Sequence, residues 1–196
     1  VSKDRLAAFM DAVLAIIMTI LVLELPKPDP VTFEGVLALR DTYMTYALSF
    51  FWLGTMWVNL HNEWHHIKII NTRIVWLGIL LLFVTSWIPY SMSVVALDNM
   101  NRVAQVLYGM SVLLVTFANL ALSISLYRCH YDFDECDSTR HKWLLMVKYI
   151  PDIIIKIIGM ILAAFVYPPA MVYSVLLAML WMFVPVEKIY DTKQKG

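Results

Sequence analysis

Residues 74–97 read IVWLGILLLFVTSWIPYSMSVVAL, a run without a single Asp, Glu, Lys or Arg. A helix needs about 20 apolar residues to cross the hydrocarbon of a bilayer, so this run is long enough to do so. The same pattern recurs on either side of it. Residues 42–62 and 103–127 are equally free of charge. So is 157–186, but Tyr167-Pro168-Pro169 divides it, and paired prolines end one helix before the next begins. The expected spans there are 143–166 and 169–188. The opening segment is uncharged only from Ala12 to Leu23, between Asp11 and Glu24. Counted from Arg5 to Leu25 it makes about 30 Å of helix, just enough to span. Barrel strands would alternate polar and apolar residues, and these runs do not. The reading is an all-α integral membrane protein. Its single domain, 1–196, has six transmembrane helices near 5–25, 42–62, 74–97, 103–127, 143–166 and 169–188.

Composition points the same way. The chain is 61% apolar and 15% charged, with a mean hydropathy of +0.70. An ordinary soluble domain is about 45–50% apolar and about 25% charged, and could not hide so much apolar surface. Fifteen basic residues balance fifteen acidic ones, which gives no footprint for nucleic acid. Orientation follows from the basic residues of the connecting segments. Lys3, Arg5, Lys68, Arg73, Arg128, Arg140, Lys142, Lys188, Lys193 and Lys195 fall on one side, and only Lys27, Arg40 and Arg102 on the other. The positive-inside rule puts both termini in the cytosol. Cys129 and Cys136 are then cytosolic thiols, which stay reduced. No cleavable leader is expected, because residues 1–4 are not a basic leader and Glu24-Leu25-Pro26 offers no small-residue cleavage site. No internal repeat is visible, and residues 28–41 read as a short interfacial helix leading into the second span.

The first helix carries the unusual chemistry. At about 100° per residue, Ala12, Ile16, Thr19, Ile20 and Leu23 share an arc of about 100°, with Asp11 about 140° from Ile16. One face therefore bears an aliphatic stripe with one hydroxyl, and another bears a carboxylate that needs a partner. On periodicity alone the stripe reads first as ordinary helix packing, with Thr19 bonding back to its own backbone.

The run from Arg5 to Leu25 resembles the first helix of the endolysosomal potassium channel family, transmembrane protein 175, and its bacterial homologues. The family signature is Arg, three residues, then Phe-Ser-Asp; here Arg5, Phe9 and Asp11 stand in place, with Met10 where Ser is expected. Trp57-Val58-Asn59-Leu60-His61 is similar to the family's Trp-x-Asn-His-His, with Leu60 replacing the first His. The resemblance implies a homotetramer in which the first helix of each subunit lines a central pore. By the family pattern Ile16 forms the narrowest ring, Thr19 adds a hydroxyl layer, Leu23 extends the apolar lining and Ile20 flanks it. Arg5, Phe9, Asp11, Trp57, Asn59 and His61 are then expected to form a polar network between the first two spans at the cytosolic end. The chain has neither a Thr-Val-Gly-Tyr-Gly carbonyl filter nor a helix of repeated arginines. Selectivity would then arise at a hydrophobic constriction that an ion passes partly dehydrated.

Other groupings carry weaker signals. His61 and His65 are four apart, but the second-position Glu of a zinc-protease helix is missing. Cys129, His130, Cys136 and His141 have no regular zinc spacing. Asp132, Asp134, Glu135 and Asp137 do not follow the calcium-loop pattern and read as a solvated acidic loop. Lys148, Asp152 and Lys156 recur every four residues inside an expected span, a spacing that makes a salt-bridge ladder. Intramembrane charges are also functional suspects. No nucleophile with an adjacent base, phosphate loop or cofactor fingerprint is found, so no enzyme activity, cofactor or bound metal is expected. Two functions remain. One is a passive potassium-selective channel with a hydrophobic gate in a bacterial plasma membrane, its permeant ion passing near Ile16 and Thr19. The other is a secondary transporter or proton-coupled cation carrier using the charged face of the fifth span.

Overall fold

The computed structural model describes residues 2–65, 67, 70–130 and 135–182, with side chains for all of these except 65, 130 and 135–144. The described residues form helices and no strand: α1 (Lys3–Leu23), α2 (Phe33–Ala38), α3 (Arg40–His65), α4 (Thr72–Thr85), α5 (Ile88–Leu97), α6 (Arg102–His130), α7 (Glu135–Phe165) and α8 (Ala170–Met182). The expected interfacial helix at 28–41 is narrower than its reading, six residues started by Thr32, whose Oγ1 accepts from the Gly35 amide at 3.1 Å.

The uncharged run 74–97 is interrupted. Its helix closes at Thr85 and restarts at Ile88, with a proline among the first residues of α5. Pro89 lacks an N–H and its ring crowds the carbonyl four residues back, so the regular bonding lapses for two residues. Asn71 caps α4 by accepting from the Ile74 amide at 3.0 Å. Asn101 caps α6 by accepting from the Val103 and Ala104 amides at 2.9 and 3.2 Å. The turn between α7 and α8 falls at Tyr167-Pro168-Pro169, and Gly159 lets the two helices close against Ser174.

Among the described residues, three stretches are long and apolar enough to cross a membrane: Lys3–Leu23, Thr72–Leu97 and Arg102–Cys129. α3 and α7 are as long, at 26 and 31 residues. Part of their polarity belongs to side chains that face the protein interior. Ser49 on α3, and Tyr149, Asp152 and Lys156 on α7, are all buried. α6 is central, packing on α3, α4, α5, α7 and α8, while α1 lies against α3, α4 and α5.

Candidate functional site: the outward face of the first helix

α1 is divided lengthwise. Leu6, Met10, Leu14, Ile17 and Leu21 recur at helical spacing and are buried. The other side looks out of the subunit. Ile16 is 58% and Leu23 79% exposed, Ala12 and Thr19 are exposed, and Ile20 is half-buried. The stripe singled out by periodicity is therefore not the packing stripe. It is an uncharged face that, among the described residues, is partly covered at Ile20 and otherwise looks outward. The Thr19 hydroxyl donates to the Ile16 carbonyl at 2.8 Å. Its one hydrogen is engaged along the helix, so the oxygen presents lone pairs outward.

At the other end of the same helix, Asp11 Oδ1 accepts from Trp57 Nε1 of α3 at 2.8 Å. The indole in turn lies against the His61 ring, with centroids 5.6 Å apart. These three residues come together as a surface cluster. Phe9 and Arg5 are exposed on α1. Asn59 does not join them, which corrects the expected network. It lies about 200° round the helix from Trp57, and its Oδ1 accepts from Lys148 Nζ of α7 at 2.8 Å. Met10, standing where the motif has Ser, is turned away from Asp11 and into the core.

The charged positions of α7 face inward. Lys156 Nζ donates to Asp152 Oδ2 at 2.7 Å and to Thr116 Oγ1 at 2.8 Å, and stands 5.1 Å from the centroid of the Trp52 ring. Both members of the pair are fully buried. One turn further, Tyr149 OH accepts from Asn119 Nδ2 at 3.0 Å and lies 3.1 Å from Ser123 Oγ. Lys148 is half-buried and donates to Asn59. Sequence reasoning missed the α6 half of this polar interior. Its signal was present: Thr116, Asn119 and Ser123 follow one another at three and four residues, one face of a helix. The side chains of His65, His130, Cys136 and His141 lie outside the described residues, as do His66, Asp132 and Asp134; the expected acidic loop is corrected at its end, where Glu135 and Asp137 belong to the first turn of α7.

Comparison with known proteins bears on this arrangement. The family model described as endosomal/lysosomal potassium channel TMEM175 matches residues 5–89, the part that holds α1 and the Asp11–Trp57 contact. A potassium channel from Chryseobacterium sp. (strain P1-3) is 30% identical over 182 residues, 92% of this chain and 93% of its own. A potassium channel from Streptomyces collinus is 30% identical over 140 residues, 67% of this chain and 68% of its own. The fold is similar to the crystal structure of a lysosomal potassium-selective channel TMEM175 homolog from Chamaesiphon minutus. That match has a TM-score of 0.69 at 21% identity, covering 91% of this chain and 95% of that one. With a relative 30% identical along nearly the whole of both chains, this membrane protein belongs to the TMEM175 potassium channel family.

Proposed function

We propose that the chain is one subunit of a passive potassium-selective channel, a homotetramer whose four α1 helices surround the ion path. The observation that carries this reading is the outward face of α1. An uncharged stripe containing one hydroxyl, turned away from its own subunit, leaves α1 available to face an ion path in a chain of a potassium channel family, and a single copy cannot enclose a pore. Relatives named potassium channels support the choice of ion. Six membrane crossings, cytosolic termini and a bacterial plasma membrane complete the proposal.

Selection then works through dehydration. Four Ile16 side chains meeting near the axis exclude bulk water, so an ion must shed part of its shell to pass. Potassium holds its shell less tightly than sodium and loses less in doing so. The Thr19 oxygens, with lone pairs facing outward, replace part of the lost hydration one turn along the helix. Leu23 and Ile20 continue the apolar lining.

A carrier working through Lys148, Asp152 and Lys156 would have to expose these groups to solution in turn. Asp152 and Lys156 are instead sealed in the subunit interior and bonded to each other, which favours the channel. The deciding measurement is the current of purified protein in a planar bilayer under opposed potassium and sodium gradients. A current that reverses near the potassium equilibrium potential with no coupled ion is expected. Strict dependence on a second, coupled ion would overturn the reading in favour of the carrier.

A further inference from the structure

α1 is fastened to its subunit along the stripe Leu6, Met10, Leu14, Ile17 and Leu21. At Met10 that stripe meets a notch. The side chain is 1% exposed and lies over Gly78 of α4. A Cβ at position 78 would stand 3.0 Å from Met10 Sδ and 3.6 Å from its Cε, with Leu6 Cδ1 at 3.8 Å. Gly78 does not have a positive φ, so the backbone does not require glycine there. Space is what it saves: with a Cβ at position 78, the Met10 thioether would have to give by a few tenths of an ångström.

The next residue is the one bonded to Trp57. Consecutive positions of α1 therefore hold two different neighbours, Met10 against α4 and Asp11 against α3, in directions about 100° apart. Two contacts at such an angle fix both the rotation of a helix and its distance from the bundle. Thr19 stands about 180° and Ile16 about 120° round from Met10. Whatever pushes Met10 away from α4 pushes the Ile16–Thr19 face outward from the subunit.

We propose that Gly78 is the positioning residue for the pore helix: through Met10, its missing side chain sets how far Ile16 and Thr19 project toward the ion path. This rests on α1 lining the pore, as proposed above. A constriction that sorts ions by dehydration responds to small changes of radius. In a symmetric assembly all copies shift together.

The test uses the purified full chain in liposomes and planar bilayers, reading potassium flux and the potassium–sodium reversal potential at matched protein content. Gly78→Ala adds one methyl and Gly78→Val three carbons, against a buried side chain that a Cβ would already approach to 3.0 Å. Flux is expected to fall about threefold in the first and about tenfold or more in the second, with a shifted reversal potential. Adding Met10→Ala to Gly78→Ala empties the space the methyl needs, and flux and reversal potential are expected to return to within about twofold of Met10→Ala alone. A glycine needed only for packing would lower the unfolding temperature and leave the reversal potential in place, which overturns the proposal. Failure of Met10→Ala to rescue Gly78→Ala overturns it too. Normal wild-type flux with unshifted Gly78→Ala and Gly78→Val overturns this inference alone. A wild-type protein without potassium flux overturns the pore reading and this inference with it.

Discussion

Thr19 and Ile16 are one hydrogen bond apart along the same helix, yet the proposed channel gives them different parts. In the proposed pore Ile16 would exclude water, and Thr19 would return a little of what water supplied. Replacing Ile16 by Asn gives the ring polar side chains that hold water. Ile16→Asn should raise current and reduce the preference for potassium over sodium. Thr19→Val keeps the shape and removes the outward lone pairs, so current persists while the preference weakens. Both are read from reversal potentials taken in identical salt, and an unchanged preference in Ile16→Asn would move the filter elsewhere. Trp57 belongs to a separate job at this scale. Trp57→Phe keeps a ring against His61 but removes the donor to Asp11. It should cost on the order of 1 kcal/mol, measured as detergent unfolding, and should alter open probability by freeing one side of α1.

α7 is an element whose sequence alone makes a poor membrane helix. It has Asp152 and Lys156 fully buried and Pro151 within its turns. Each fault is met by a neighbour. Lys156 is surrounded by Asp152, Thr116 and the Trp52 ring. Pro151 cannot donate to the carbonyl four residues back, that of Val147. Trp181 of α8 donates its indole N–H to that same oxygen at 3.3 Å. Lys156→Met leaves a buried carboxylate uncompensated and should cost about 3–5 kcal/mol, whereas Lys156→Met with Asp152→Asn removes both charges and should recover most of it. Reversible unfolding in mixed micelles would measure the pair, and a double variant as damaged as the single one would show that the charges matter separately. Trp181→Phe should cost on the order of 1 kcal/mol through the stranded carbonyl.

At the scale of the whole molecule, the subunit is asymmetric in what holds it together. α6 sits at the centre, and a polar interior ties it to α7. α1 lies at the side, attached by one apolar stripe and the Asp11–Trp57 bond, with its other face outward. Four copies placing that face on a common axis would turn an unused surface into a pore lining. Native mass spectrometry of the protein released from detergent should therefore give a mass near four times 22.6 kDa. A monomer that conducts would sink both the tetramer and the α1 pore.

The amino-acid sequence alone determined the solvent and the all-helical class, because a charge-free run of membrane length has few other uses, but not the break between Thr85 and Ile88. It also marked the Ala12–Leu23 stripe, since helical periodicity is local, and the turn at Tyr167-Pro168-Pro169, since proline acts on its own backbone. Periodicity could not say which of the two apolar faces of α1 packs and which looks outward, because Leu14 and Ile16 differ little in chemistry. Only the positions of α3, α4 and α5 decided that. The same limit applies to the polar residues. Trp57 and Asn59 are two positions apart in the motif, yet one turns to Asp11 and the other to Lys148. Lys156 reads from sequence as half of a ladder on its own helix. Thr116 and Trp52, which complete its surroundings, are far away in the chain and come to it only by packing. Met10 over Gly78 is decided the same way: steric fit between helices depends on which residues face each other, and that is a property of the assembled bundle.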